Sequence, residues 1–318
     1  MNAAAPAITE APRVGIFYDE PPEVYYTRKL EEASNSGLTV LDVDSPKHYH
    51  FWVTDPKAAD AEESDALRFG RAFHCATLEP EQFGDRYLLL PDDAPRQPTE
   101  KQINARNPSM ETLRAIDWWR AWDQVRGSRE LLVRKEYDLA LAMATSLRAY
   151  EMEFPDFPGC PTMKIGELID ACAKEVTLRW VDEETGVLCK ARADLFEPDL
   201  RFGGDAKSCL SASKEAFGRA MVAHRYHVQA AHYCEGFRAC GYPLKSFGFF
   251  PVEKRRPHVA ASWHADAPTE ERGWAIRQRS LRKLDRCLKT GRWPGYTTTM
   301  TSISIPAYGH YDAEDEAA

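Results

Sequence analysis

The chain has 318 residues, 43% hydrophobic and 28% charged, with 41 Lys and Arg against 49 Asp and Glu for a formal net charge of −8. Those fractions are those of a globular protein with ample material for a buried core, and no window approaches 18 consecutive apolar residues, which excludes a membrane-spanning helix. The acidic total gives no sign of a nucleic-acid binder, but an enzyme needs only one local basic track and an acidic metal site.

Residues 1–12, MNAAAPAITEAP, lack a charged n-region and a continuous apolar run, so they predict a disordered tail rather than a secretion signal, with the cytoplasm as the expected location. Residues 13–60 are short and turn-rich, with a helix start near Ser34. Ser64 to Thr77 predicts a helix, because Leu67, Phe69, Ala72, Phe73 and Leu78 form an approximate apolar stripe. Pro91 to Pro108 holds four prolines among polar residues and reads as a loop. Helices are expected over Glu111–Gln124, which carries Trp118, Trp119 and Trp122, and over Lys135–Tyr150. Glu153–Pro161 reads as another loop.

The pattern then changes to strands. Glu175–Val181 alternates and is rich in β-formers, Asp182–Gly186 is a turn, and Val187–Phe196 completes a hairpin. Pro198 and Asp199 turn the chain into a third strand, Leu200–Lys207. Ser213–Cys240 reads as one or two helices and Phe247–Val252 as a strand. Thr269–Thr290 is a basic helix with Thr269 as a plausible N-cap and Gly291 past its end. The acidic residues 311–318 predict a second disordered tail.

Cys75, Cys160, Cys172, Cys189, Cys209, Cys234, Cys240 and Cys287 contain no CxxC pair, which argues against a zinc ribbon. They are expected to be free thiols, mostly buried.

Asp205 and Lys207, in GGDAKS, stand two apart on the third strand and so share one face of it. By itself D-x-K is a short pattern, repeated by chance at Asp55-Pro56-Lys57, and a solvated pair is its commoner meaning. Asp194 lies on the preceding strand. Strands run about 4.8 Å apart, so Asp194 and Asp205 can share a divalent cation through carboxylate oxygens, with Lys207 beside them to orient water or offset negative charge. On the following helix Gln229 and Tyr233 are i,i+4 neighbours, with Tyr226 close to the same face. The alternative is an ordinary amphipathic helix whose amide and phenol happen to align. His224, His227 and His232 do not fall on one helical face and make no metal cluster.

A local basic surface is expected from Arg272, Arg277, Arg279, Arg282, Lys283 and Arg286, followed by Lys289 and Arg292. Trp274, Leu281, Leu284 and Leu288 recur at helical spacing and would anchor that helix. The alternative is a solvated charged face. Lys254, Arg255 and Arg256 form a smaller cluster.

The order D-x10-D-x-K followed by Q-x3-Y resembles the RecB-type branch of the PD-(D/E)XK nucleases. The segments ASNSGLTVLDVDSPKHYHFWV, LRFGRAFHCATLEPEQF, ETGVLCKARADLF, YHVQAAHYCEGF and GRWPGY are similar to the exodeoxyribonuclease VIII (RecE-like) nucleases of phages and prophages, over roughly residues 13–310. The resemblance implies an α/β, restriction-endonuclease-like core with a central mixed β-sheet flanked by helices and an N-terminal helical extension. Residues 13–310 would then form one domain, helical over about 13–165 and catalytic over about 166–300.

It further implies a metal-dependent exonuclease on linear double-stranded DNA that degrades the 5′-ended strand and leaves a 3′ single strand for an annealing partner. A structure-specific or single-strand endonuclease of the same fold, or a non-catalytic DNA-binding relative, are the alternatives. On the family pattern His74, Asp194, Asp205 and the Ala206 carbonyl would hold Mg2+ or Mn2+, and Glu175 could assist, or be a strand-edge surface charge. Lys207 would be the catalytic lysine, and Gln229 and Tyr233 would position the scissile phosphate or the lysine. Related iron–sulfur branches carry three closely spaced cysteines after the Q-x3-Y helix. Here only Cys234, Cys240 and the distant Cys287 follow, so no cluster is expected. A ring-like homo-oligomer engaging double-stranded DNA ends, with no membrane attachment, completes the expectation.

Overall fold

The structure is a computed structural model that describes residues 13–59, 65–153 and 162–305. The two predicted tails, Cys160 and most of the Glu153–Pro161 loop lie outside the described residues. Strand β1 (Gly15–Phe17), helix α1 (Pro22–Tyr26), strand β2 (Glu32–Ala33) and helices α2 (Asn35–Val43), α3 (Pro46–Thr54) and α4 (Pro56–Ala59) open the chain. Ser34 caps α2 by accepting the Gly37 amide, and Ser45 caps α3 by accepting the His48 amide.

Helix α5 (Asp65–Leu78) follows, then α6 (Phe83–Arg86), β3 (Tyr87–Leu89), α7 (Glu100–Ile103), α8 (Met110–Arg126), β4 (Glu130–Leu132) and α9 (Arg134–Ala149). Leu67 does not join the α5 stripe; it is 64% exposed, while Phe69, Ala72 and Phe73 are buried. The proline-rich 91–108 segment is not loop throughout. Thr99 and Gln102 form a reciprocal capping box that starts α7.

Strands β5 (Glu151–Met152) and β6 (Met163–Lys164) and helix α10 (Ile165–Ala171) lead into the main sheet. That sheet contains β7 (Ala173–Val181), β8 (Leu188–Glu197) and β9 (Phe202–Cys209). Helices α11 (Lys214–Ala223) and α12 (Tyr226–Ala239) carry the chain across to β10 (Ser246–Glu253), and α13 (Ala267–Thr290) ends the regular structure. The break between α11 and α12 falls at Arg225, whose φ of 60° leaves the right-handed helical region. Asp266, not Thr269, caps α13, accepting the Thr269 amide through its side chain, and Gly291 ends the helix with φ 65°.

The strand order is β1-β7-β8-β9-β10, with β2 pairing β8. The β7–β8–β9 meander is antiparallel, and β10 returns parallel to β9 after the two-helix crossover. The N-terminal part is therefore mostly helical but also adds two strands to this sheet. Apolar side chains bury both faces. Phe250 and Leu195 pack with Phe73, Met143 and Leu147 of α5 and α9, whereas Phe249 and Phe196 pack with Leu38, Phe237, Leu281 and Leu284 of α2, α12 and α13. Neighbours such as Phe249 and Phe250 point to opposite layers because the strand repeat is two.

Helix α13 crosses α12 at close range. A Cβ on Gly273 would lie 2.1 Å from the His227 carbonyl oxygen, so only glycine fits that crossing. Trp274, expected to anchor α13, is 42% exposed; Ile276, Leu281 and Leu284 are the anchors. Seven cysteines are described as free, four of them buried. No described helix is long and apolar enough to cross a membrane.

Candidate active site

Three carboxylates stand in one row across three adjacent strands. In the β7–β8 ladder, Lys174 faces Leu195 and Val176 faces Ala193, which sets Glu175 opposite Asp194. In the β8–β9 ladder, pairing stops at Leu195 and Gly204, and Asp194 and Asp205 are the next residues along. The ladder is interrupted at this row on both sides. At Glu175 the cause is its backbone, which takes φ 53°. At Asp194 the side chain takes the place of a ladder bond: its Oδ2 accepts the Ala206 amide at 2.9 Å.

Helix α5 brings His74 to the same row. Its Nδ1 lies 3.4 Å from Asp194 Oδ2, beside the Ala206 backbone. Burial lowers the His74 pKa, outweighing the pull of Asp205, so the imidazole is neutral and keeps a free lone pair near neutral pH. The two acids move the other way. Burial and then the Asp194 charge push Glu175 up to about 7, and burial followed by the Asp205 charge holds Asp194 well above the usual carboxylate range.

A divalent cation fits this site on two observations. His74, Glu175 and Asp194 each offer one ligand atom, and all three atoms lie within 4.8 Å of one another. Mixed nitrogen and carboxylate donors of this kind suit a divalent cation, the imidazole favouring a transition ion more than an all-oxygen site would. Glu175 and Asp194, each raised by burial and by a neighbouring carboxylate, are the groups whose repulsion a cation relieves.

Asp205 faces the row from a different set of partners. One oxygen is ion-paired with Lys207 and the other accepts from the Gln229 side chain. Tyr233 is buried beside Gln229. Burial would lower the Lys207 pKa, but Asp205 and Asp194 outweigh it and the net shift is upward. The ammonium also sits 4.9 Å from the centroid of the Tyr226 ring, a cation–π contact. Gln229 thus meets Asp205, with Tyr233 behind the amide, and Tyr226 meets the lysine.

The basic run on α13 is largely occupied. Arg277 is fully buried, paired with Asp182 at 3.1 Å and bonded to His232 and Gln278, so it cannot lie on a DNA-binding surface. Arg279 pairs with Asp42, Arg282 with Glu184, and Lys283 donates to the Leu41 carbonyl at 2.7 Å. These residues fasten α13 to α2 and to the β7–β8 turn. Arg272 and Arg286 are exposed.

Two partners of the site escaped the sequence reading. Arg192 Nε pairs with Glu175 Oε2 at 2.9 Å, and helix α1 packs Tyr25 against Arg192. The first carried a signal: Arg192 stands two residues before Asp194, the same i,i+2 spacing that relates Asp205 and Lys207. The second had none, since α1 lies far from Arg192 along the chain.

An acidic row on a β-meander, a lysine two residues past its last acid, a Gln–Tyr helix behind and a mixed sheet between helical layers define the PD-(D/E)XK class of α/β folds. The chain belongs to the family described as "PDDEXK-like domain of unknown function (DUF3799)", whose family model matches residues 45–304, within the PD-(D/E)XK nuclease superfamily. The fold is similar to the crystal structure of the "Putative exonuclease" from Eubacterium rectale, with a TM-score of 0.52 at 15% identity over 94% of this chain and 98% of that one. The comparison with curated proteins found no match.

Proposed function

We propose that the protein is a metal-dependent exodeoxyribonuclease that hydrolyses phosphodiester bonds at the ends of linear double-stranded DNA. The observation that carries this reading is the row of Glu175, Asp194 and Asp205 on three neighbouring strands, with His74 and Lys207 at its two sides. The name of the Eubacterium rectale protein supports an exonuclease over other nucleases of the fold.

His74, Glu175 and Asp194 would hold Mg2+ or Mn2+, with Asp205 and the Ala206 carbonyl adjoining. When bound, the cation supplies Lewis-acid polarisation of the phosphodiester and eases deprotonation of the attacking water. Asp194 spans two tasks, since one of its oxygens already fixes the Ala206 amide. Gln229 and Tyr233 act through Asp205: the amide holds one carboxylate oxygen, leaving the other to orient Lys207. Lys207, held between Asp205 and the Tyr226 face, presents a positive charge where negative charge develops during phosphoryl transfer. Arg272 and Arg286 are exposed α13 residues that would meet phosphate.

The family resemblance supports degradation of the 5′-ended strand and delivery of a 3′ single strand to an annealing protein. The test is a linear duplex labelled separately at each 5′ and 3′ end, incubated with Mg2+ or Mn2+ beside a closed circle. Stepwise release of 5′ label from the linear form alone is the expected result. Equal cutting of the circle would instead assign an endonuclease, and no cutting of either would remove the nuclease reading.

A further inference from the structure

We infer that the exposed ring of Tyr26 is a stacking subsite for an unpaired nucleobase flanking the scissile phosphate. The inference rests on the nuclease reading and names a contact outside residues 45–304, the part matched by the family model.

Tyr26 is the last residue of α1 and is 63% exposed, yet its backbone is fastened on both sides. The buried Lys190 ammonium donates to the carbonyls of Tyr25 and Thr27, the residues flanking Tyr26, each at 2.7 Å. That ammonium is neutralised by Glu32 at 2.8 Å, and Glu32 is paired in turn with Arg179 at 2.8 Å. Arg179 also pairs with Glu20, whose carbonyl accepts from Arg192 at 3.0 Å. Buried ion clusters of this kind are weak contributors to stability, because desolvation offsets the attraction. What this one does is hold a five-residue helix, too short to be stable alone, in one place.

The place adjoins the acidic row through Tyr25 and Arg192. The Tyr26 ring meets the Tyr25 ring edge-on at 5.1 Å, and Tyr25 lies 5.4 Å from the Arg192 guanidinium, which pairs with Glu175. The electrostatics agree with that place: after partial burial, Glu175 and Asp194 raise the pKa of the Tyr26 hydroxyl, opposed by Arg192 and Arg71. An aromatic face that is solvent-exposed, carried on backbone tied down at both neighbours and near the proposed nuclease site matches the π-face of a base, whatever its identity. Bases inside a duplex offer no such face, so the ring selects a frayed or single-stranded terminal base.

The experiment is a cycle between protein and substrate. Kd by fluorescence anisotropy with Ca2+ and kcat/KM with Mn2+ are measured for wild type, Tyr26→Ala, Tyr26→Phe and Tyr26→Trp. The DNA ends carry either normal nucleotides or a single abasic residue moved through the terminal positions. Stacking predicts that Tyr26→Ala loses about tenfold in affinity on normal ends. At one abasic position wild type and Tyr26→Ala should become equal, and Phe or Trp should restore the difference. Losses of the same size on normal and abasic DNA, or no rescue by Phe and Trp, overturn the subsite while leaving the nuclease intact. Wild type that neither binds nor cleaves DNA overturns both readings.

Discussion

Asp194 Oδ2 accepts the Ala206 amide across the gap where β8 and β9 part. One carboxylate therefore closes the sheet and faces the candidate metal site, and the two roles can be separated by substitution. Asp194→Asn keeps an acceptor for the amide but removes the charge. It should melt near the wild-type temperature and lose cleavage by a factor of about 1000 or more, as a missing charged ligand requires. Asp194→Ala should lose activity equally and also about 1–3 kcal/mol of stability, because a buried N–H is left without a partner. Thermal melts and an end-labelled assay on both variants check this, and equal stability of the two would separate Asp194 from the Ala206 amide.

Glu175 is held in the left-handed region in mid-strand. A non-glycine residue there costs roughly 1 kcal/mol or more, which glycine avoids. Glu175→Gly should therefore be more stable than Glu175→Ala by about 1 kcal/mol, reversing the order usual in a strand. Both variants should bind Mn2+ more weakly in calorimetric titrations. An alanine variant as stable as the glycine one would show that the backbone relaxes when the side chain is cut.

His232 sets a pH dependence. It is buried, its Nε2–H donates to the Lys190 carbonyl at 3.0 Å and its Nδ1 accepts from Arg277 at 3.3 Å, so both nitrogens are committed to the neutral ring. Burial, then the Arg277 charge, lower its pKa to about 3. A depressed folded-state pKa gives stability that is present above the unfolded value of about 6.5 and is lost as pH falls from there toward 3. Each such proton steepens the fall by up to about 1.4 kcal/mol per pH unit. Urea unfolding of wild type and His232→Gln between pH 7 and 5 should differ in slope by about one proton, and parallel slopes would contradict the assignment.

The α13 surface separates free cations from committed ones. Arg272→Gln and Arg286→Gln should each lower the slope of log Kd against log salt by roughly one unit for every phosphate no longer neutralised, with unchanged melting temperature. Arg277→Gln should destabilise the protein by about 3–5 kcal/mol, because Asp182 is left as a buried charge without its partner. Salt titration of DNA binding and thermal melts on the same preparations distinguish the groups. A full wild-type slope in the Arg272, Arg286 double variant would leave α13 a structural helix.

The sequence by itself determined the central elements, from β7 to α13, and their order. The β-hairpin, the third strand, the D-x-K with Asp194 before it and the Gln229–Tyr233 face all rest on repeats of two, three or four residues, which backbone geometry imposes locally. The family pattern added His74, which α5 does bring within 3.4 Å of Asp194. Tertiary structure alone decided what those residues touch. Asp205 and Gln229 meet each other, Glu175 joins the row through a backbone angle that no neighbouring residue signals, and Lys190 ties down a helix 165 positions earlier. Arg277 and Arg279 belong to one basic run, yet the first is sealed against Asp182 and the second pairs with Asp42, 237 residues away. A charge run specifies only the number of cations; packing of distant segments sets which of them face water, because burial and partners are properties of the folded surface and not of the chain.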